Sequence, residues 1–120
     1  MDYRGKKMAI LGLARSGMSA AILLLKHGAK VTVSDAVDNK KLRERAEQLR
    51  KLGADVELGI HNEAALRDAD EIIVSPGVPT DIPVLLWVKA NRPDLSIISE
   101  IELGYRFSKG KIVGITGSNG

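Results

Sequence analysis

The chain has 120 residues, 44% hydrophobic and 28% charged, a balance that suits one soluble domain with a real core. Aromatic residues are only 3%, so aliphatic side chains and alanine must fill that core, and a base-stacking nucleic-acid surface is not expected. The net charge of +3 comes without a polybasic block, there is no cysteine, and the longest apolar run, Ala20 to Leu25, is far too short to span a bilayer; no nucleic-acid partner, membrane span, disulfide or thiolate metal site is expected, and a cytoplasmic location is compatible.

Two periodicities alternate along the chain. Met8 to Leu11 is a short apolar run that predicts a strand ended by Gly12. Gly17 to His27 has the length and apolar content of a helix, and Gly28 suits the left-handed position after it. Lys30 to Ser34 is a β-branched strand leading into Asp35. From Asp38 to Leu52 the sequence reads as an amphipathic helix, with Leu42, Ala46, Leu49 and Leu52 on one face and a Glu47–Lys51 pair on the other. Asp55 to Leu58 is a weak strand, Asn62 to Asp68 a short helix and Glu71 to Val74 a strong strand cut off by Ser75-Pro76-Gly77. Pro83 to Asn91 is the next predicted helix, with proline tolerated in its first turn. Leu95 to Ser99 is a strand, the Ser99-x-x-Glu102 spacing opens a helix to about Phe107, and Lys111 to Thr116 is a last strand. Strands separated by helices imply right-handed βαβ units. The predicted fold is therefore α/β, a Rossmann-like doubly wound parallel sheet of about five strands in the order 3-2-1-4-5, with helices on both faces.

Three loops and one terminal stretch carry chemistry. Gly12-Leu13-Ala14-Arg15-Ser16-Gly17 has the frame of a dinucleotide glycine loop, but Ala14 stands where the middle glycine would allow close pyrophosphate approach. Arg15, Ser16 and the N–H groups opening the following helix can still hold an anion; tight strand–helix packing without a ligand is the alternative. Asp35, at the end of the second strand, is placed to accept from ribose hydroxyls or a base edge, or simply to cap a turn. Ser75, Pro76 and Gly77 form a stiff loop after the fourth strand. Strand order reverses between strands 1 and 4, so this loop and the first glycine loop are expected to flank one crevice. The terminal Gly114 to Gly120 stretch reads as the opening of a phosphate loop, with Thr116, Gly117, Ser118, Asn119 and Gly120 as its glycine-rich part, or as an ordinary glycine turn. His27 is explained by a helix C-terminus, His61 by a loop, and Trp87 by packing; two isolated histidines predict no metal site.

The segments ILGLARSG, VTVSD, EIIVSPGVP, ISEIEL and IVGITGSNG together resemble the N-terminal domain of the Mur ligases of peptidoglycan synthesis, over essentially the whole chain. The resemblance implies a three-domain, cytoplasmic amide ligase that uses ATP and Mg²⁺ to activate a carboxylate as an acyl phosphate. Its N-terminal domain would hold the UDP part of the substrate. By match, Arg15 and Ser16, within the Gly12, Ala14 and Gly17 loop, take diphosphate-contacting positions. Asp35, Ala36, Val37, Ser75, Pro76 and Gly77 take uridine-contacting positions. SPGVP and GSNG favour the D-glutamate-adding branch, with UDP-N-acetylmuramoyl-L-alanine as nucleotide substrate, over the L-alanine-adding branch. The same resemblance divides the chain into a UDP-substrate domain over 1–110 and, over 111–120, the first strand and partial phosphate loop of a central ATP-binding domain. On that division the chain alone is expected to bind neither ATP nor Mg²⁺ and to be inactive. An NAD-linked oxidoreductase, or a nucleotide-binding regulatory module, is the alternative from another class.

Overall fold

The computed structural model describes residues 3–61 and 63–109. Five strands, β1 (Lys7–Leu11), β2 (Lys30–Asp35), β3 (Asp55–Leu58), β4 (Glu71–Val74) and β5 (Ser96–Ser99), form one parallel sheet in the order β3-β2-β1-β4-β5. Five helices alternate with them: α1 (Arg15–Lys26), α2 (Lys40–Lys51), α3 (Glu63–Asp68), α4 (Pro83–Asn91) and α5 (Glu100–Lys109). The predicted strand order and fold class are those found. The expected strand at Lys111 to Thr116 lies outside the described residues.

Alternation along β1 explains the layering. Met8 and Ile10 enter one core with Ala20 and Leu24 of α1, Leu42, Ala46 and Leu49 of α2, and Leu103 of α5. Ala9 and Leu11 enter a second core on the opposite face with Leu66 of α3 and Val84, Leu85 and Val88 of α4. β1 has strands on both sides and helices on both faces, and Ile10 and Leu11 are wholly buried. Trp87 packs against the second core with the Arg67 guanidinium 4.4 Å from its ring centroid, in keeping with the packing reading.

Element bounds differ from expectation at places where a side chain decides them. α2 starts at Lys40, because the Asn39 side chain accepts a hydrogen bond from the Leu42 N–H (2.9 Å) and caps the helix. Glu47 lies 3.8 Å from Arg50, one turn away, rather than pairing with Lys51. α5 begins at Glu100 and the Ser99 hydroxyl accepts from the Glu102 N–H (3.1 Å), which realises the serine half of the expected capping box. Gly28 has φ 86° and follows α1 as expected. His27 Nδ1 lies 2.9 Å from the Leu23 carbonyl, and its ring meets Phe107 edge-on at 4.6 Å.

A candidate nucleotide site at the carboxyl edge of the sheet

α1 starts at Arg15, two residues earlier than the sequence suggests, with Ala14 as its N-cap. The first helical bond runs from the Met18 N–H to the Ala14 carbonyl (2.9 Å). Arg15 and Ser16 therefore sit in the first helical turn and are exposed, and helix geometry leaves the opening N–H groups without partners inside the helix. No acidic residue belongs to that turn, which leaves the positive end of the helix dipole uncompensated by α1 itself.

Two glycines make this strand–helix turn tight. Gly12 has φ 102°, and a Cβ there would lie 2.7 Å from both Cβ and Oγ of Ser75. At Gly17 an added Cβ would stand 2.2 Å from the Gly12 carbonyl oxygen. Both positions are therefore closed to larger residues by the protein's own packing. Ala14, by contrast, is exposed at the N-cap, and its methyl group stands where a pyrophosphate would need to come close.

Asp35 joins two loops. One carboxylate oxygen accepts the Leu13 N–H (2.8 Å) and the other accepts the Val37 N–H (2.8 Å). The bond to Val37 is the turn cap that the sequence allowed as the alternative for Asp35, while the bond to Leu13, which orders the glycine loop, was not disclosed by sequence position. Ala36 and Val37 are exposed beside it, with Val37 52% exposed. Arg45, half-buried on α2, donates from Nη1 to the Leu13 carbonyl (2.9 Å). Nothing in the charged pattern of α2 distinguishes Arg45 from its neighbours, so sequence reasoning missed it.

The loop after β4 lies directly against the loop after β1. The Ser75 N–H donates to the Leu11 carbonyl (2.9 Å), and the Gly12 N–H donates to the Ser34 carbonyl (2.8 Å), which knits β2, β1 and β4 together at one edge. Ser75 is buried and its hydroxyl donates to Oε2 of buried Glu100, while also lying 3.3 Å from the Gly12 carbonyl. The Ser75 side chain is thus turned inward, its N–H is spent on Leu11 and its carbonyl accepts the Val78 N–H (3.0 Å), so Ser75 shapes the loop rather than offering a free donor. Pro76 and Gly77 are exposed, and nothing within the protein would meet a Cβ at Gly77. Between α1 and α5 a mainly apolar cavity of about 360 Å³ opens, bounded by Ser16, Leu23, Pro76, Glu100, Ile101 and Leu103.

The structure brings the Gly12–Gly17, Asp35–Val37 and Ser75–Gly77 segments to the carboxyl ends of β1, β2 and β4, where open α/β sheets bind ligands. Thr116, Gly117, Ser118, Asn119 and Gly120 lie outside the described residues. Among the described residues no group of three or more His, Cys, Asp or Glu is placed to hold a metal ion, and no helix is long and apolar enough to cross a membrane.

The chain is similar to known proteins in sequence and in fold. The family described as Mur ligase MurD-like, N-terminal domain, matches residues 6–98. The UDP-N-acetylmuramoylalanine–D-glutamate ligases of Koribacter versatilis and Geotalea uraniireducens are 45% and 47% identical over all 120 residues. The chain spans about a quarter (26%) of the length of each of these relatives. Among solved structures, the UDP-N-acetylmuramate-alanine ligase MurC of Thermotoga maritima matches 88% of this chain and 23% of its own, at 25% identity and a TM-score of 0.70. The precorrin-2 dehydrogenase SirC shares the fold alone, at 17% identity and a TM-score of 0.55. With a family match across most of the chain and the expected loops gathered at one sheet edge, the chain belongs to the Mur ligase family, as a MurD-like N-terminal domain.

Proposed function

We propose that this domain binds the UDP end of UDP-N-acetylmuramoyl-L-alanine for an ATP-dependent ligase that adds D-glutamate in cytoplasmic peptidoglycan synthesis. The observation that carries the reading is the direct contact of the β1 and β4 loops beside the exposed first turn of α1. Diphosphate would lie at that turn, where Arg15 offers a guanidinium, Ser16 a hydroxyl and the helix its unpaired N–H groups. Uridine would lie over Asp35, Ala36 and Val37 on one side and the loop of Ser75, Pro76 and Gly77 on the other, where exposed Gly77 leaves room for close approach. Ala36 and Val37 carry no polar side chain, so polar recognition there falls to backbone groups and to remaining lone pairs on Asp35. The relatives' names support D-glutamate as the amino acid added.

ATP and Mg²⁺ belong to the same proposal. They would be served in the longer ligase by a phosphate loop that includes Thr116 to Gly120, and their chemistry is activation of the substrate carboxylate as an acyl phosphate. The described residues supply substrate anchoring only. The expected inactivity of the 120-residue chain is part of this proposal and is checked by phosphate release with the full substrate set; turnover above a no-protein control would contradict it.

The deciding experiment is titration of the chain with UDP, uridine and NAD, followed by amide chemical shifts. UDP should bind more tightly than NAD, with shifts at Gly12–Gly17, Asp35–Val37 and Gly77. Arg15→Ala should weaken UDP about tenfold or more, the size of one charge-assisted hydrogen bond, and leave uridine nearly unchanged. Saturable NAD binding at lower concentration than UDP would favour the oxidoreductase alternative instead.

A further inference from the structure

The cavity between α1 and α5 ends on a carboxylate that the proposed nucleotide contacts do not use. Glu100 opens α5, is 8% exposed and accepts the Ser75 hydroxyl through Oε2. Its Oε1 is buried and takes no hydrogen bond among the described residues. Burying a carboxylate with one oxygen unpartnered costs stability, and an apolar side chain of similar volume would serve the core better. The position of the other oxygen accounts for keeping it. Oε2 lies 3.1 Å from where a Cβ on Gly17 would stand, on the buried residue of the α1 turn, whereas Ala14, Arg15 and Ser16 of the same turn are exposed. Ser75 in turn packs against Gly12 so closely that no side chain fits between them. Glu100 thus adjoins both proposed ligand loops from inside: the β4 loop through a hydrogen bond, and the β1–α1 turn by filling the space that a side chain at Gly17 would enter.

We infer that Glu100 is a positioning residue for nucleotide binding: through Ser75 and Gly17 it sets the spacing between the loop that takes the base and the helix start that takes the diphosphate. This rests on the UDP reading above. Neither charge nor contact with the ligand is required of Glu100, only an acceptor oxygen at the place of Oε2. An amide oxygen can replace it; a methyl group cannot. The effect travels through Ser75, so removing the Ser75 hydroxyl should remove most of what Glu100 contributes.

The test uses Glu100→Ala, Glu100→Gln, Ser75→Ala and the Glu100→Ala/Ser75→Ala pair in this chain, each titrated with UDP and compared ligand-free by amide chemical shifts. Glu100→Ala should raise the UDP dissociation constant about tenfold, because the two loops lose the side chain that sets their spacing. Glu100→Gln should restore binding to within about threefold, and the double variant should be no weaker than Glu100→Ala alone. In ligand-free protein the amides of Gly12–Gly17 and Gly77 should move in Glu100→Ala, with those of β3 in place. Glu100→Ala within about twofold of the parent with unmoved loop amides, equal losses for Ala and Gln, or additive losses in the double variant would each overturn the inference. If Glu100→Ala does not fold, Glu100→Gln and Ser75→Ala decide: Glu100→Gln near the parent with Ser75→Ala impaired supports the inference, and the reverse overturns it. A parent chain that ignores UDP would sink the nucleotide reading instead. The ligand-free amides and their restoration by Gln would then still decide whether Glu100 sets the two loops.

Discussion

Asp35 carries two demands at once, and a single-atom change separates them. Both of its oxygens accept backbone N–H groups, from Leu13 and from Val37. Asp35→Asn keeps the size but leaves one acceptor where two are needed. The substitution should lower the unfolding free energy by about 1–3 kcal/mol, the cost of leaving a donor unmatched, and this is measurable by urea denaturation. An unchanged midpoint would show that the turn is held by other contacts. Gly17→Ala tests the tightness of the same turn. The new methyl carbon would fall 2.2 Å from a backbone oxygen, so strand or helix must shift, at about 1–3 kcal/mol. These residues were visible in the sequence as types at spacings: glycine twice after a strand, an acid after the next. Their partners were not visible. Glu100 and Arg45 come from α5 and α2, far along the chain, and no local pattern marks a side chain whose value depends on a loop it meets only after folding.

Helices and strands were the most legible level, because burial on two faces imposes periods that a sequence must display. After their first residues, Lys7 and Glu71, β1 and β4 are continuous apolar runs, as strands covered on both faces must be. Helix starts were less legible, since they depend on single hydrogen bonds. At α2, Asn39 rather than Asp38 is the cap; Asn39→Ala should cost about 1 kcal/mol by denaturant unfolding, while the helix itself persists. Asp38 is free to bind the helix differently. It accepts from Arg43 Nε at 2.7 Å, and that hydrogen bond holds its carboxyl below the usual aspartate range. Asp68, at the end of α3, is likewise lowered by the hydrogen bond and charge of Lys7 on β1 (2.7 Å). A carboxylate lowered in the folded state stabilises the protein above its unfolded pKa, near 3.9 for aspartate, and that contribution disappears as pH falls through the lower folded value. The melting temperature should therefore fall below about pH 4, and the fall should shrink in high salt because both pairs are exposed. Asp38→Asn combined with Asp68→Asn should flatten the acid limb; an unaltered acid limb in that double variant would assign it to other carboxylates.

At the scale of the molecule, topology follows from chain order, while the division of labour between the two faces does not. The strand order was readable because alternating strands and helices admit few right-handed arrangements. Which helices share a face was not, and the structure puts α1, α2 and α5 on one core and α3 and α4 on the other. The loops proposed to hold the nucleotide adjoin the first face at α1 and the second through the β4–α4 connection, so the proposed site spans both cores. Its rigidity then depends on the strands common to them. β1 lies between β2 and β4, and its apolar side chains enter both cores, whereas β3 and β5 are edge strands in the described sheet. Local opening starts where backbone bonds have fewest neighbours. Amide exchange should accordingly rank β1 slowest, opening only with global unfolding, then β2 and β4, with Asp55–Leu58 of β3 and Ser96–Ser99 of β5 faster. Native-state hydrogen exchange in rising urea reads this directly. The β1 amides should converge on the global unfolding curve, and exchange at β3 should remain nearly independent of low urea, as expected for small local openings. If β1 instead exchanged through a low-energy opening, the two cores would not share a common spine, and the site loops at its end would be far less fixed than their mutual contacts at Gly12 and Ser75 imply.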